Sequence, residues 1–439
     1  MSTTPSPHQV RPNQSRRVAL SSLAGTTIEW YEFFIYAIAA ALVFDKLFFP
    51  NFDPAVGKIL SLSTFTIAFI ARPIGAAVFG HFGDRIGRKK LLVVTLSIMG
   101  GATVLIGALP TYDQIGIFAP LLLTVLRFAQ GFSLGGEYSG AVLMSVEHAP
   151  ENKRGLLSSI VNTGSALGLM LANLVFLVLE KLPEDAFMSY GWRIPFLLAG
   201  ILVFFGIFIR VSLDESPEFQ KVAKEGNIEK MPVKIVLTRY PKLVILMALS
   251  YLSIGTVFYI LTVFSISYGT GQIDIDEALI LRLILFSTVF LVAGIPFFGW
   301  LSDRYGRRRI FIAGVVGLSV LPWAWFPMFG SGNAVIMFIG FLLLFIPYCA
   351  NYGTMPALFS LVFPPSVRYT GLAIGYTLGT LATSTVPIIA TYLMDKTGAW
   401  QSIAIYMSVT GAISLVAAAL MREYSDPAAQ EIAETSAVH

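Results

Sequence analysis

Two glutamates three residues apart, Glu29 and Glu32, interrupt a stretch from Val18 to Phe44 that holds no other charge. In a helix they share one face, which Phe33 and Tyr36 continue. Two carboxylates in a low-dielectric setting cannot both stay ionised cheaply, so such a pair is suited to load and unload a proton. The plainer alternative is that one of them only caps or pairs with an arginine. Three more ionisable groups stand inside long apolar stretches: Arg72, Arg127 and Glu137. At membrane depth each costs about 2.5–3.5 kcal/mol on insertion scales, which marks it as a functional candidate.

Arginine keeps its charge and offers a planar fork that fits a carboxylate. Arg127, with Gln130 one turn further along the same face, suits a substrate carboxylate or one of the glutamates; a fixed structural ion pair is the alternative. Glu137 is ten residues further on, about 15 Å of helix rise, so it cannot pair with Arg127 directly, though both can line one cavity. Arg72 precedes Pro73, whose missing N–H frees a carbonyl; Arg72 is expected to satisfy that carbonyl or an acid. Enzyme chemistry finds no footing. The histidines, His8, His81, His148 and His439, are scattered without metal-ligand spacing, and no phosphate-binding loop is present. Neither a metal nor a cofactor is expected.

These groups require apolar helices to hold them. Of 439 residues, 55% are hydrophobic and 13% charged, about half the usual charged share. Uncharged blocks such as Leu91–Pro110 are long enough to span a bilayer. The fold class expected is an all-α membrane protein of twelve transmembrane helices in two six-helix bundles. The spans are placed at 19–48, 58–82, 91–109, 116–145, 156–179 and 193–211, then 242–268, 278–300, 309–329, 334–361, 370–393 and 401–421. This gives a cytoplasmic N-terminal tail (1–18), a first bundle (19–211), a cytoplasmic linker (212–241), a second bundle (242–421) and a short cytoplasmic tail (422–439). All five intramembrane charges fall in spans one, two and four. The second half offers Tyr251, Tyr259, Trp323, Tyr348, Asn351, Tyr352 and Tyr376 as the uncharged wall of a pocket, or else as core or interface anchors; Tyr348, Asn351 and Tyr352 stand at helical spacing beside Pro347.

Lysine and arginine side the connections unequally. Twenty-two lie on one side, six on the other, and Arg72 and Arg127 within spans. By the positive-inside rule the richer side, with both termini, is cytoplasmic. The net charge of +4 is therefore topology and does not point to nucleic acid. The lone Cys349 permits no disulfide within the chain.

The halves repeat. Gly80-His81-Phe82-Gly83-Asp84-Arg85-Ile86-Gly87-Arg88-Lys89-Lys90 recurs 219 residues later as Gly299-Trp300-Leu301-Ser302-Asp303-Arg304-Tyr305-Gly306-Arg307-Arg308-Arg309. Further marks are Glu29-Trp30-Tyr31-Glu32-Phe33, Ala71-Arg72-Pro73-Ile74-Gly75, Arg127-Phe128-Ala129-Gln130-Gly131, Gly191-Trp192-Arg193-Ile194-Pro195-Phe196, Glu215-Ser216-Pro217-Glu218-Phe219 and Val367-Arg368-Tyr369-Thr370-Gly371. From about residue 20 to 421 the chain resembles the metabolite:proton symporter family of the major facilitator superfamily, which includes shikimate, 2-oxoglutarate, citrate and proline/betaine carriers.

The resemblance implies proton-coupled uptake of a small organic acid or zwitterion by alternating access. A binding site between the halves near mid-membrane follows from the repeat. By family position Glu32 is the preferred proton site, with Glu29 and Glu137 beside it. Arg127, Gln130, Tyr36, Asn351 and Tyr352 are the substrate-binding candidates. The repeated loops, through Gly80, Asp84, Arg85 and Arg88 and through Asp303, Arg304 and Arg307, would close the cytoplasmic side. Where the family has aspartate, this chain has Glu32. The osmosensing carriers' C-terminal coiled coil has no counterpart in Glu423–His439, so osmotic gating is not expected. A monomer in a bacterial inner membrane is the expected setting, with the solute, protons and the bilayer as partners. A proton-independent uniporter, an exporter and a transporter-like sensor are the alternatives.

Overall fold

The computed structural model describes residues 12–179 and 181–424, and these are helical without strands. Much of both expected tails, with His8 and His439, lies outside the described residues. Twelve crossings are formed by α1 (Pro12–Leu42), α2 (Pro54–Ile86), α3 (Arg88–Ala108), α4 (Phe118–Glu147), α5 (Arg154–Leu179), α6 (Ile194–Val211), α7 (Pro241–Tyr259, prolonged by Ile260–Phe264 and Ser265–Gln272), α8 (Glu277–Tyr305), α9 (Arg307–Val320 with Pro322–Phe329), α10 (Ala334–Ser360), α11 (Arg368–Thr383 with Val386–Thr397) and α12 (Trp400–Leu420). Ten of them are each long and apolar enough to cross a membrane, and α9 is an eleventh, bent by 46° where Pro322 follows Leu321. α1 is less apolar because it carries Glu29 and Glu32, but its 31 residues rise about 46 Å, more than the ~30 Å hydrocarbon core. Large apolar side chains such as Phe204 and Phe208 point outward, 68% and 69% exposed, as a lipid-facing surface requires.

The structure corrects one placement and adds detail to another segment. α1 ends at Leu42, and Phe44–Phe48 is a separate short helix rather than the end of one span. The polar segment 212–241 also carries structure: helices Pro217–Lys224 and Pro232–Arg239 each start on a proline at their first turn.

Within the first half, α1 lies along α5, α2 along α4, and α3 against α4 and α6. The second half pairs α8 and α9 with α10, and α7 with α11 and α12. The halves meet mainly where α2 packs on α11 and where α5 packs on α8 and α10. The repeated loops, the two linker helices and the start of α1 share one end of the bundle, termed here the basic face. Gly87 and Gly306 occupy equivalent places in the two loops, at φ 110° and 94°. That backbone is open to glycine and strained for other residues, and it turns the chain sharply into α3 and α9.

Candidate functional site

At the basic face each repeated aspartate caps a helix of the opposite half. Asp84 accepts from the Tyr369 N–H (3.1 Å), the Thr370 N–H (2.9 Å) and the Thr370 hydroxyl (2.8 Å) in the first turn of α11. Asp303 accepts from the Gly155 and Leu156 N–H groups (2.7 and 2.8 Å) in the first turn of α5. A carboxylate there meets unsatisfied donors and the positive end of the helix dipole. Gly80 lets the backbones meet: a Cβ on it would lie 2.9 Å from Thr370 Cα.

Basic side chains tie this layer together. Arg88, fully buried, lies 3.4 Å from Asp84 and 3.5 Å from Glu147. Arg307 lies 3.9 Å from Asp303 and donates to the Glu151 carbonyl (2.9 Å). Arg85 and Arg304 stand apart from the layer: Arg85 contacts His81 at the surface, and Arg304 covers the Trp300 ring at 4.2 Å. Their side chains lie outside the contacts between the halves because they follow the aspartate by one helical position, about 100° around the axis.

The linker and its neighbours join the layer, a role that motif spacing alone did not disclose. Glu215 accepts from the Arg88 and Lys89 N–H groups (2.9 and 3.2 Å), capping α3, and Ser216 bonds Glu147. Glu218 bridges Arg154 and Arg368 at 3.7 and 3.5 Å. Substituting Asp84 or Asp303 by Asn keeps the shape and removes the charge from a helix N-terminus. Each change is expected to shift the equilibrium toward opening at the basic face by about 1–2 kcal/mol. Thiol labelling of a cysteine placed at Ser159, between α5 and α8, in a chain lacking Cys349, checks this; unchanged labelling contradicts it.

Above this layer the halves also touch through neutral groups. The Tyr138 ring of α4 stacks on Tyr376 of α11 at 4.0 Å. The Asn162 side chain of α5 donates to the Tyr352 carbonyl of α10 at 2.6 Å. Pro356, four residues beyond Tyr352, has no N–H to give that carbonyl, so the amide from the other half replaces the missing helical bond. Asn162→Ala should therefore leave a buried acceptor unpaired and weaken closure by about 1–3 kcal/mol. The same Ser159 labelling reads it; labelling that stays slow would show that the bond does not contribute to closure.

Beyond this seal, near the middle of the bundle, lies a narrow cavity of about 30 Å³ lined by Glu29, Trp30, Phe33, Phe69, Arg72 and Leu134 from the first half and by Tyr251, Phe258, Tyr259, Tyr376, Thr380 and Thr383 from the second. Glu29 and Arg72 face each other at 3.7 Å, longer than the ~2.8 Å of a charge-assisted hydrogen bond. Glu29 Oε2 and Arg72 Nε are both buried without a hydrogen-bond partner. Arg72 also lies over the Tyr376 ring, 5.5 Å from its centre. Away from the basic face the cavity shares Phe33, Phe258 and Tyr259 with an apolar cleft of about 510 Å³ between α1 and α5 on one side and α7 and α8 on the other.

The other candidates stand behind or beside this cavity. Glu32 turns to α3, where Thr103 donates to it at 2.7 Å; Gln130 donates to Thr103 (2.6 Å), and Arg127 donates to Gln130 (3.1 Å). The Arg127 guanidinium lies 3.9 Å from the centre of the Tyr36 ring, and the Tyr36 hydroxyl bonds Thr64 (2.6 Å). Arg127, Gln130, Thr103 and Glu32 thus form one buried chain within the first half. Asn351 does not reach the cavity, since its amide donates to the Phe311 carbonyl (3.3 Å) between α10 and α9. Tyr352, whose carbonyl takes the Asn162 bond, packs on Tyr348 with ring centres 5.3 Å apart. Of the second-half aromatics and amides that the sequence offers for the wall, Tyr251, Tyr259 and Tyr376 line the cavity, a choice set by the rotation of α7 and α11.

Glu137 is fully buried and pairs with Arg210, whose other nitrogen donates to the Leu92 carbonyl (2.7 Å). Thr95 donates to the second Glu137 oxygen (2.6 Å). Arg210 looks like a loop charge at the end of a span, yet it is 2% exposed. Its space is provided by Gly25 of α1, where a Cβ would collide with the guanidinium.

Residues 18–231 match the family described as "Sugar (and other) transporter", and residues 276–438 match "Major Facilitator Superfamily". The chain belongs to the major facilitator superfamily, among its bacterial metabolite carriers. It is 42% identical over 420 residues to the inner membrane metabolite transport protein YhjE of Escherichia coli K12, covering 94% of this chain and 95% of the relative. It is 38% identical over 433 residues to the shikimate transporter of the same organism (96% and 98% covered), and 32% identical over 443 residues to its proline/betaine transporter (96% and 88% covered). The fold is also that of the proton:xylose symporter XylE solved with 6-bromo-6-deoxy-D-glucose, at TM-score 0.73 and 15% identity over 93% of this chain and 95% of that one. The protein is therefore a multi-pass membrane transporter of metabolites and not an enzyme.

Proposed function

We propose that this transporter takes up a small organic acid or zwitterion by proton-coupled symport, through alternating access about the central cavity. The observation that carries this is the loose Glu29–Arg72 pair on the cavity wall, 3.7 Å apart, each with a buried polar atom lacking a hydrogen-bond partner. A carboxylate held this weakly exchanges its arginine for a proton readily, and the freed arginine then receives an anionic group. Glu32 stands one turn behind on the chain through Thr103 and Gln130 to Arg127, positioned to tune the same exchange. Glu137 has a structural role in this scheme, held by Arg210.

The basic face is the cytoplasmic side in this reading, supported by the 22 to 6 division of lysine and arginine. The chain then works as a monomer in a bacterial inner membrane, with both termini inside and a closed cytoplasmic gate in the state described. Uptake into proteoliposomes under an inward proton gradient tests the coupling. Accumulation of a labelled solute that collapses with a protonophore is expected; equal uptake with and without the protonophore would leave a uniporter.

A further inference from the structure

The charges in the central cavity are few. Among the described residues lining it, Arg72 is the single cation and Glu29 the single anion; the rest of the wall is aromatic, apolar or hydroxyl-bearing. Beyond Arg72, the charged groups near Glu29 are the Glu137–Arg210 pair, already satisfied internally, and Glu32 one turn along α1, which is held by Thr103. Arg127 stands behind the Tyr36 ring and does not line the cavity.

From this arrangement we infer that the solute is a monocarboxylate with an uncharged ring body, whose carboxylate displaces Glu29 from Arg72 while Glu29 takes up one proton. This rests on the proton-symport reading above and fixes its stoichiometry. The balance is simple. One carboxylate enters, the Glu29 carboxylate gains one proton to become a neutral acid, and the Arg72 charge remains paired throughout. No uncompensated charge is left in a buried site, where one is costly. A di- or tricarboxylate brings further anionic groups for which the cavity holds no cation. A zwitterion placing its ammonium on Glu29 and its carboxylate on Arg72 leaves Glu29 ionised, so it needs no proton. The body of the solute meets Trp30, Phe258, Tyr251 and Tyr259, which offer flat faces to a ring, and Thr380 and Thr383, which offer hydroxyls to ring substituents. The apolar cleft leading to the cavity admits such a body with little competing charge, Arg282 being the one charged residue on its wall among the described residues.

The consequence is electroneutral transport: one anion and one proton cross together. Proteoliposomes containing the full chain are given shikimate, benzoate, citrate or glycine betaine, each labelled. Each is tested with a one-unit pH gradient at zero potential and with a potential at zero pH gradient. The expected result is about tenfold accumulation of shikimate under the pH gradient, entry of benzoate faster than into protein-free liposomes, which its neutral acid enters unaided, and no accumulation of either above equilibrium under the potential alone. Trp30, in the wall, supplies an independent readout: among the six tryptophans of the chain it should account for a fluorescence change with benzoate or shikimate that is absent with citrate and lost in Trp30→Phe. Three outcomes overturn the inference while leaving proton symport standing: accumulation of citrate or betaine in preference to both ring acids, uptake driven by potential, and proton-driven uptake of neither ring acid. Uptake that responds to neither gradient would instead remove the proton-symport reading itself.

Discussion

Replacing Arg210 by Met is expected to destabilise the protein by about 3–5 kcal/mol, because it strands a fully buried Glu137 without its cation. The loss reaches further than one ion pair. Arg210 also holds the Leu92 carbonyl of α3 and fills the space beside Gly25 of α1, so α1, α3, α4 and α6 meet on its guanidinium. Thr95 alone would remain to hold the stranded carboxylate. Thermal unfolding in detergent measures the effect. A second variant, Arg210→Met with Glu137→Gln, should recover most of it, since the remaining amide carries no charge. A single variant as stable as the parent would show that the pair contributes no net stability.

Glu29→Gln should abolish accumulation and preserve exchange. The amide keeps the size of the side chain and cannot carry a transferable proton, so a solute gradient can run down but cannot be built. Counterflow of labelled against unlabelled solute should persist, while the inside-to-outside ratio under a one-unit pH gradient falls from about tenfold to one. Glu32→Gln makes an informative comparison, because its remaining carbonyl oxygen still accepts the Thr103 bond. Its effect is expected to be weaker. If Glu32→Gln abolishes accumulation and Glu29→Gln does not, the proton sits one turn away from the cavity.

Much of the architecture was legible because it is written in long-range composition. Uncharged blocks of span length and two copies of one loop motif leave little choice of fold. The part that helix rotation decides was less legible. Tyr348, Asn351 and Tyr352 share a helical spacing beside Pro347, but Asn351 faces α9 and the Tyr352 carbonyl faces α5. Arg210 was hidden by its position at the end of a span, where an arginine usually snorkels to water. Its only sequence trace is Gly25, 185 residues away, with no local pattern to link them. Glu147 was hidden the same way at the end of α4, although it contacts both Arg88 and Arg368. Glu29 and Glu32 lie on one helix, but Glu29 lines the cavity while Glu32 turns to α3, a difference set by how α1 is turned against its neighbours.

Proton movement accompanying the solute is the most direct test of the central claim. Proteoliposomes loaded with a pH-sensitive dye, with no gradient imposed and the membrane potential clamped, receive the transported solute from outside. The interior should acidify as solute enters, by one proton per solute molecule, and should stay constant with the Glu29→Gln protein. Entry of labelled solute at constant interior pH in the parent protein would contradict proton-coupled symport.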